Sequence, residues 1–332
     1  MAVVAFTGAT AWGMTLAWLL ARNGHAARIV TRTSEEAREI NGNRRAPRMP
    51  SLELPFHLVA TSDTRTAIHG ADVIVIAVPS QSIRENARAI RDAIAPRTLV
   101  VHATKGLERT SAKRVSEMLL EELPQEDEGD ICALSGPNLA SEIARGLPAA
   151  TVIAGRNPAN VERAQSLFHS AAFRVYASSD VAGVELAGSL KNVVAIVAGI
   201  ADGLGVGDNA KAGIITRALA EITRLGVAAG GMPATFAGLA GIGDVMATCY
   251  SPLSRNRSFG EAIAQGASEP EARARSEGVV EGIDATASAC VLGERLRIDL
   301  PITQSLRAVL FEEATTASMI ARLLEREPTR EA

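Results

Sequence analysis

The sequence predicts an α/β fold, with a Rossmann-like doubly wound sheet in residues 1–184 and an all-helical region in residues 185–332. Three observations lead to this prediction. Short apolar runs that resemble buried strands alternate with helical segments in the first half, as in a parallel sheet covered by helices on both faces. After residue 185 only the helical period recurs. A chain of 332 residues is also long for one hydrophobic core, so two domains are expected.

Composition and charge exclude several classes of protein. The formal net charge of -3 gives no reason to expect a nucleic-acid partner. Three widely spaced cysteines without a C-x-x-C motif indicate a reduced compartment and no structural zinc. The chain begins without a charged n-region, and apolar runs such as residues 193–200 are too short to span a bilayer. We therefore expect a cytoplasmic protein without a signal peptide, stable membrane insertion or a metal site.

The first strand–turn–helix unit resembles a dinucleotide fingerprint. A strand over residues 2–7 is followed by GATAWG and a helix over residues 14–22, so a pyrophosphate would lie at the helix N-terminus. The expected cofactor residues of this turn are Gly8, Thr10, Ala11, Trp12 and Gly13.

Thr10 stands where the fingerprint has its second glycine, which normally lets the backbone approach the phosphates. Two outcomes are open. The side chain either displaces the dinucleotide, or its hydroxyl donates a hydrogen bond to a phosphate oxygen and offsets the crowding. We favour partial compensation by the hydroxyl.

The turn also invites comparison with the T-G-x-x-G-x-x-G motif of short-chain dehydrogenases. That motif needs glycines where the chain has Ala11 and Met14, and a Tyr-x-x-x-Lys pair. Neither Tyr176 nor Tyr250 has a lysine four residues later, so this class is excluded.

The second strand, residues 26–31, ends at Arg32. An arginine here can receive the 2′-phosphate of NADP, whereas an acidic residue would hold the 2′-hydroxyl of NAD. Arg32 therefore favours NADP over NAD, with a solvated loop arginine as the alternative.

The remaining N-terminal segments complete a sheet of about eight strands. Residues 41–54, rich in Arg, Pro and Asn, indicate a loop or lid, and residues 125–130 a solvated acidic loop. Further strands are expected at 71–79, 98–102, 131–134, 149–154 and 172–175, and helices at 82–93 and 161–169.

Two turns follow strands of this sheet at the edge where open α/β sheets bind ligands. Lys105 lies in the loop after residues 98–102, and a surface lysine is an equally good interpretation of that feature alone. Gly136 and Pro137 form a sharp turn after residues 131–134.

The second half is expected to be helical throughout. Helical periodicity is found in residues 190–200, 209–226, 238–248, 255–265, 278–296, 303–312 and 316–325.

Lys191 is the candidate general acid. It lies near the start of the apolar run that follows the sheet region, and clefts between domains commonly hold small-molecule sites. Only four of the 34 basic residues are lysines, which suggests that lysine is kept where a compact, titratable ammonium is needed, although a solvated lysine is the simpler interpretation. All five histidines precede Lys191, so the helical region cannot supply an imidazole. Asp244, in the motif GIGD, could orient the lysine.

The segment SRNRSFG is a candidate phosphate site. Ser254 is a plausible N-cap, and arginines are disfavoured in a first helical turn unless an anion lies there. The free N–H groups together with Arg255 therefore favour phosphate, although solvated arginines are an alternative.

The motifs GATAWG, HATKGLE, SGPNLASE, SLKNVVAI, ITRALAEITRLG, GIGD, SRNRSFG and VVEG, in this order, resemble bacterial-type NAD(P)-dependent glycerol-3-phosphate dehydrogenase. The resemblance implies reversible reduction of dihydroxyacetone phosphate to sn-glycerol 3-phosphate, which feeds phospholipid synthesis, and it leaves a homodimer open. It implies that Lys191 is the proton donor and acceptor. The implied substrate contacts are Lys105, Gly136, Asn138, Lys191, Asp244, Ser254, Arg255 and Asn256. The implied cofactor contacts are Trp12, Arg32, Lys105, Ala140, Arg255, Val279 and Glu281.

Two other functions remain open at the level of sequence. A related two-domain reductase of a hydroxy or keto acid would share the glycine turn but would not need the SRNR phosphate site. A non-catalytic NADP-binding regulator would explain Thr10 and Ala11, but it would have no use for a proton donor beside a phosphate site.

Overall fold

The computed structural model describes residues 1–276 and 278–324. In the described residues, all strands lie between residues 3 and 178. They are β1 Val3–Thr7, β2 Ala26–Val30, β3 Arg45–Ala46, β4 Met49–Glu53, β5 Leu58–Thr61, β6 Val73–Ile76, β7 Leu99–His102, β8 Ile131–Ser135, β9 Ala149–Gly155 and β10 Phe173–Ser178.

Eight of these strands form one sheet in the order β10-β9-β8-β7-β6-β1-β2-β5. The chain therefore changes direction across the sheet between β1 and β6, and open α/β sheets bind ligands at such switch points. Neighbouring strands are parallel except β8 and β9, which are antiparallel, with Cys132 opposite Gly155. The predicted Rossmann-like sheet of about eight strands is confirmed, with one antiparallel pair that the buried-strand pattern did not reveal.

Helices cover both faces of the sheet, as expected from the buried strands. A short 3₁₀ turn, Ser80–Ser82, also follows β6. The helices are α1 Ala11–Arg22, α2 Ser34–Asn43, α3 Thr64–Ile68, α4 Ile83–Ile90, α5 Val115–Glu122, α6 Ala140–Ala144 and α7 Pro158–Phe168.

Two interpretations of surface segments are wrong. Residues 41–54 are not a loop or lid, because they hold the end of α2 and the β3–β4 hairpin, with Leu52 fully buried. The acidic segment 125–130 is not simply solvated, because Glu126 and Asp130 are buried. In both cases a few inward-facing side chains, which the polar composition masked, hold the segment against the core.

The second half is helical, as predicted. It adds two helices, α10 Pro233–Phe236 and α13 Glu269–Arg275, to the expected ones. Residues 238–248 are divided into a π-helical turn, Leu239–Gly243, and α11 Asp244–Tyr250. The predicted end of the last helix, Glu325, lies outside the described residues. The helices are α8 Val181–Gly203, α9 Asp208–Ala228, α10 Pro233–Phe236, α11 Asp244–Tyr250, α12 Arg255–Ala264, α13 Glu269–Arg275, α14 Glu281–Leu296, α15 Pro301–Phe311 and α16 Thr316–Leu324.

The helix α8 forms the centre of this half. It begins at Val181, capped by the Asp180 carboxylate, which accepts a hydrogen bond from the Gly183 N–H at 2.9 Å. The apolar run is therefore the middle of a longer helix, and Lys191 lies near its centre rather than near its start. With 23 residues and a mean hydropathy of 1.6 over its most apolar 18-residue window, α8 is the one helix in the described chain long and apolar enough to cross a bilayer, and that window is entirely buried within the protein. A helix that is apolar on all sides is typical of a protein core.

Candidate active site

The candidate site lies where the C-terminal edge of the sheet meets α8 and α11. Lys105 follows β7 by three residues, and Asp244 is the first residue of α11, directly after the π-helical turn. Lys105 Nζ lies 2.6 Å from Asp244 Oδ2, and Lys191 Nζ lies 3.1 Å from Asp244 Oδ1. The fold thus brings two of the chain's four lysines to one carboxylate, and we call these three residues the Asp244 cluster.

Burial and charge shift the protonation equilibria of this cluster. Burial alone would raise the pKa of Asp244, but Lys105 and Lys191 outweigh it and hold that pKa below its ordinary value. Burial lowers the pKa of Lys105, the Asp244 carboxylate opposes this, and the charge of Lys191 adds to the lowering. The carboxylate therefore stays ionised between the two lysine side chains.

Thr248 completes the contacts of Lys191. Lys191 Nζ donates to Thr248 Oγ1 at 2.6 Å, and Thr248 Oγ1 donates to Asp244 Oδ1 at 3.1 Å. Sequence reasoning missed Thr248. The signal was available, because a residue four positions after Asp244 on a helix lies on the same face.

The turn after β8 contacts Lys105 directly. Lys105 Nζ donates to the Gly136 carbonyl at 2.8 Å. The Asn138 side chain donates to the Ala150 carbonyl at 3.2 Å and accepts from Thr151 Oγ1 at 2.9 Å. These bonds fix the turn against β9, and Ala140 then begins α6. The structure therefore places Gly136 in contact with the Asp244 cluster and gives Asn138 a visible role in holding the turn.

The N-terminus of α12 contacts α8 at Asn192, the residue after Lys191. Ser254 is its N-cap, as predicted, and accepts a hydrogen bond from the Arg257 N–H at 3.2 Å. The Arg255 side chain is exposed and free to meet a ligand from solvent. Asn256 instead points inward. It donates to Asn192 Oδ1 at 2.9 Å and accepts from the Gly282 N–H at 3.0 Å.

Asn192, the neighbour of Lys191, was also missed. Its side-chain Nδ2 is buried and has no hydrogen-bond partner in the described part of the chain. A buried amide donor without a partner is uncommon in proteins. Its position next to Lys191 makes it a donor available to a bound molecule.

The glycine turn has the backbone shape of a dinucleotide site. Gly8 has φ +95°, and a Cβ there would lie 2.6 Å from Val78 Cγ1, so glycine is required. The first N–H groups of α1 have no acceptor within the helix and face an incoming anion. The indole Nε1 of Trp12 is buried and also lacks a partner among the described residues. These features fit a pyrophosphate-bearing cofactor.

Thr10 has a different role from the one we favoured. Its Oγ1 donates to the Ala77 carbonyl at 2.8 Å and accepts from the Gly13 N–H at 3.0 Å, which makes it the N-cap of α1. The single hydroxyl hydrogen is used by Ala77, so in this arrangement it does not point to a phosphate. Thr10 stabilises the turn itself.

The remaining predicted cofactor residues lie in two places. Arg32 is exposed after β2, and its backbone N–H donates to the Glu36 carboxylate at 3.1 Å. Val279 is 45% exposed and precedes α14. Burial raises the pKa of Glu281 at the start of α14, while Arg255, Lys191 and Lys105 oppose the rise. Glu281 is thus electrostatically coupled to the substrate residues, whereas Arg32 is remote from them along the sheet edge.

Comparisons with known proteins point to one family over nearly the whole chain. The model of the NAD-dependent glycerol-3-phosphate dehydrogenase N-terminus matches residues 3–161, and the model of its C-terminus matches residues 180–321. The chain is 42% identical over 325 residues to the glycerol-3-phosphate dehydrogenase [NAD(P)+] of Chlorobium phaeobacteroides, covering 98% of this chain and 97% of the relative. It is 43% identical over 333 residues to that of Corynebacterium kroppenstedtii, covering 100% of both.

Solved structures give the same result. The crystal structure of glycerol-3-phosphate dehydrogenase from Coxiella burnetii has a TM-score of 0.93 and 36% identity, covering 98% of this chain and 99% of that one. A ketopantoate reductase from Ralstonia eutropha has a TM-score of 0.62 and 18% identity, covering 97% and 100%, so it shares the fold alone.

Proposed function

The chain belongs to the family of NAD-dependent glycerol-3-phosphate dehydrogenases, and from this premise we propose how its residues carry out the reaction. It is an NAD(P)-dependent oxidoreductase that acts on the CH–OH group of glycerol 3-phosphate. The reverse direction reduces dihydroxyacetone phosphate. We propose that it supplies glycerol 3-phosphate for phospholipid synthesis.

The Asp244 cluster carries the proposed mechanism. When bound, the nicotinamide supplies the hydride that reaches the ketone carbon. Lys191 donates a hydrogen bond to the carbonyl oxygen, stabilises the negative charge that develops there, and transfers its proton. Asp244 and Thr248 hold Lys191 Nζ in place at 3.1 and 2.6 Å. The observation that carries this proposal is a buried lysine whose Nζ is held by both Asp244 and Thr248.

The other substrate residues position the molecule. Arg255 and the first N–H groups of α12, capped by Ser254, bind the phosphate, because a charge-assisted contact and a helix N-terminus both favour a dianion. Lys105 adds a second positive charge on the sheet side, fixed by Gly136 and Asp244. Holding the phosphate orients the carbonyl toward Lys191, which lowers the entropic part of the barrier.

The experiment compares NADPH and NADH oxidation with dihydroxyacetone phosphate and with dihydroxyacetone. We expect rapid oxidation with the phosphorylated ketone and weak activity with the other. Equal kcat/KM for the two ketones would contradict the phosphate site, and preference for a keto acid would favour the related reductase class instead. Absence of cofactor binding would contradict the dehydrogenase, the related reductase and the NADP-binding regulator alike.

We propose that NADP is preferred over NAD, with Arg32 as the residue that meets the 2′-phosphate. Exposure of Arg32 at the end of β2 supports this. Arg32→Asp should move the ratio of kcat/KM from NADPH toward NADH by about tenfold or more, because a hydrogen bond to a charged group contributes about 1.5–3 kcal/mol. Arg38→Asp, an exposed position on α2, is the matched control. An unchanged ratio in Arg32→Asp would show that this arginine is only a surface residue.

We also propose that residues 1–184 and 185–332 are two domains. The change from strand to helix between β10, which ends at Ser178, and α8, which begins at Val181, supports a division within a few residues of this boundary. The Glu185 carboxylate, on the second side, accepts from the Ser116 N–H at 2.7 Å and pairs with Arg114 at 2.9 Å. Such buried polar contacts would fix the angle between the domains.

A cytoplasmic location and a homodimer are further proposals. Three free, buried cysteines support a reducing compartment. Resemblance to the family supports the dimer, and light scattering of the purified protein tests it.

A further inference from the structure

Lys211 is a buried lysine that the proposed mechanism does not use. It is 6% exposed, and its Nζ lies 2.8 and 2.9 Å from the two carboxylate oxygens of Asp202. Arg257 Nε lies 2.7 Å from Asp202 Oδ2. The Lys211 ammonium also lies 4.5 Å from the centre of the Tyr250 ring, a cation–π distance. We call these four residues the Asp202 cluster.

The Asp202 cluster joins four helices, three of which carry site residues. Asp202 lies at the end of α8, eleven residues after Lys191, and Tyr250 is the last residue of α11, which carries Asp244. Arg257 is the third residue of α12, two positions after Arg255. Lys211, in the first turn of α9, is the contact from outside the site. The cluster therefore links the C-terminal ends of α8 and α11 to the first turn of α12, which also carries Arg255.

Glycines bring the backbones of α8 and α12 close together at two positions. A Cβ added at Gly199 would lie 2.0 Å from the Arg257 carbonyl oxygen, and one at Gly260 would lie 2.1 Å from the Ile196 carbonyl oxygen. Side chains that interdigitate normally fix how two helices are placed along each other. Where glycines bring backbones together, directional contacts across the two helices, here the Arg257–Asp202 ion pair and the Asn256–Asn192 hydrogen bond, help to fix that placement. Lys211 of α9 holds the same Asp202 carboxylate.

The contact between Asp202 and Arg257 also compensates one positive charge at the N-terminus of α12. An arginine in a first helical turn is disfavoured by the helix dipole. The Asp202 carboxylate offsets this for Arg257, which therefore needs no external anion. Arg255 is the first-turn cation that remains exposed for a ligand.

We infer that Lys211 and Asp202 are positioning residues of the substrate-phosphate site. Through Arg257 they hold the N-terminus of α12 at a fixed position relative to Lys191 on α8. This inference rests on the proposal that Arg255 and the start of α12 bind the phosphate. It predicts that loss of the Lys211 ammonium weakens phosphate binding without direct contact to the phosphate.

The test measures inorganic phosphate as a competitive inhibitor against dihydroxyacetone phosphate, together with the KM of that substrate and the Kd of NADPH. For Lys211→Met we expect the phosphate Ki and the substrate KM to rise together by about tenfold to a hundredfold, since small displacements of a binding group have effects of this size. The NADPH Kd should change little. Lys113→Met is the control, because Lys113 pairs with Glu121 on α5, away from α12.

A second variant keeps the inference testable if Lys211→Met folds poorly. Asp202→Asn preserves size and should raise the same two constants, and the double variant should be no worse than the poorer single one, because both act through one cluster. Additive effects would contradict a shared role. A melting curve confirms folding of each protein.

The Arg255→Ala variant distinguishes failure of the phosphate-site proposal from failure of the positioning inference. If Arg255→Ala leaves the phosphate Ki unchanged, the phosphate site itself is wrongly assigned. If Arg255→Ala raises it while Lys211→Met and Asp202→Asn do not, only the positioning role is overturned. If the NADPH Kd rises as much as the phosphate Ki, the substitution has weakened both ligand sites alike, and the positioning role is also overturned.

Discussion

The Asp244 and Asp202 clusters have similar composition but different surroundings. In each, one aspartate holds two cations within 3.1 Å. One carboxylate oxygen of Asp244 contacts Lys191 of α8, and the other contacts Lys105 in the sheet region. Lys105 and Asp244 are 139 residues apart in the chain. Asp202 instead binds Lys211 and Arg257, both from the helical half.

The proposed roles, reactive for the Asp244 cluster and supportive for the Asp202 cluster, follow from this difference in surroundings. The Asp244 cluster joins the sheet edge to the helical half, where a cofactor and a substrate can meet two ammonium groups. The Asp202 cluster lies among helices of one region, and its cations are directed at the protein. Location between the sheet edge and the helical half, rather than the set of charges, therefore distinguishes the two clusters.

The largest expected effect is at Lys191. Lys191→Met should lower kcat by about 10²–10⁴-fold, because a general acid contributes this much, while the Kd of NADPH changes little. Steady-state rates and NADPH fluorescence titration measure the two quantities. Turnover within about threefold of the wild type would remove Lys191 from the mechanism, since proton donors contribute far more.

Replacing the aspartate of each cluster by asparagine tests whether the two clusters differ in role. Asp244→Asn should lower kcat by about a hundredfold, because Lys191 loses a partner that fixes its position. It should also lower the pKa of Lys105 further, so that kcat/KM declines from a lower pH than in the wild type. Asp202→Asn should act mainly on the substrate KM and leave this pH profile unchanged. Similar kcat losses in both variants would show that the two clusters do not differ in role.

Glu126, a buried carboxylate outside both clusters, tests whether burial alone affects activity. Burial and the nearby Asp130 raise the pKa of Glu126 to about 7 from an ordinary 4.5. Between these values the unfolded chain releases the proton first, so the wild type should lose up to about 3 kcal/mol of stability as the pH rises from about 4.5 to 7. Glu126→Gln should remove that loss and leave activity unchanged.

Chemical denaturation at several pH values measures this effect, with exposed Glu128→Gln as the control. An identical pH dependence in the wild type and Glu126→Gln would contradict the raised pKa.

The smallest expected effect is at Thr10, outside both clusters. Thr10→Val removes the cap of α1 and the bond to the Ala77 carbonyl, and should lower the free energy of unfolding by about 1 kcal/mol and weaken NADPH binding modestly. Thr10→Ser keeps the hydroxyl and should behave as the wild type. If the valine variant is as stable as the serine variant, the cap has no energetic role.

Local patterns in the sequence were sufficient for most elements. Apolar strands alternating with helices predicted the sheet, and helical periodicity predicted the second half, because burial imposes a period on the residues themselves. Segments 41–54 and 125–130 were misjudged because their composition is polar, and only a few residues such as Leu52 and Glu126 face the core. The antiparallel β8–β9 pair could not be predicted, since strand direction depends on connections across the sheet.

The sequence by itself determined the fold class, the family and the identity of Lys191, Asp244 and Arg255 as candidate site residues, because these depend on residue type and order. Only the tertiary structure decided which partners those residues have. It joined Lys105 to Asp244 across 139 positions, turned Asn256 inward, and used the Thr10 hydroxyl as a helix cap. It also revealed the Asp202 cluster, in which Lys211 and Arg257 lie 9 and 55 residues from Asp202 in the chain. The physical reason is that side-chain pairing depends on distances of a few ångströms between elements, which spacing along the chain does not encode.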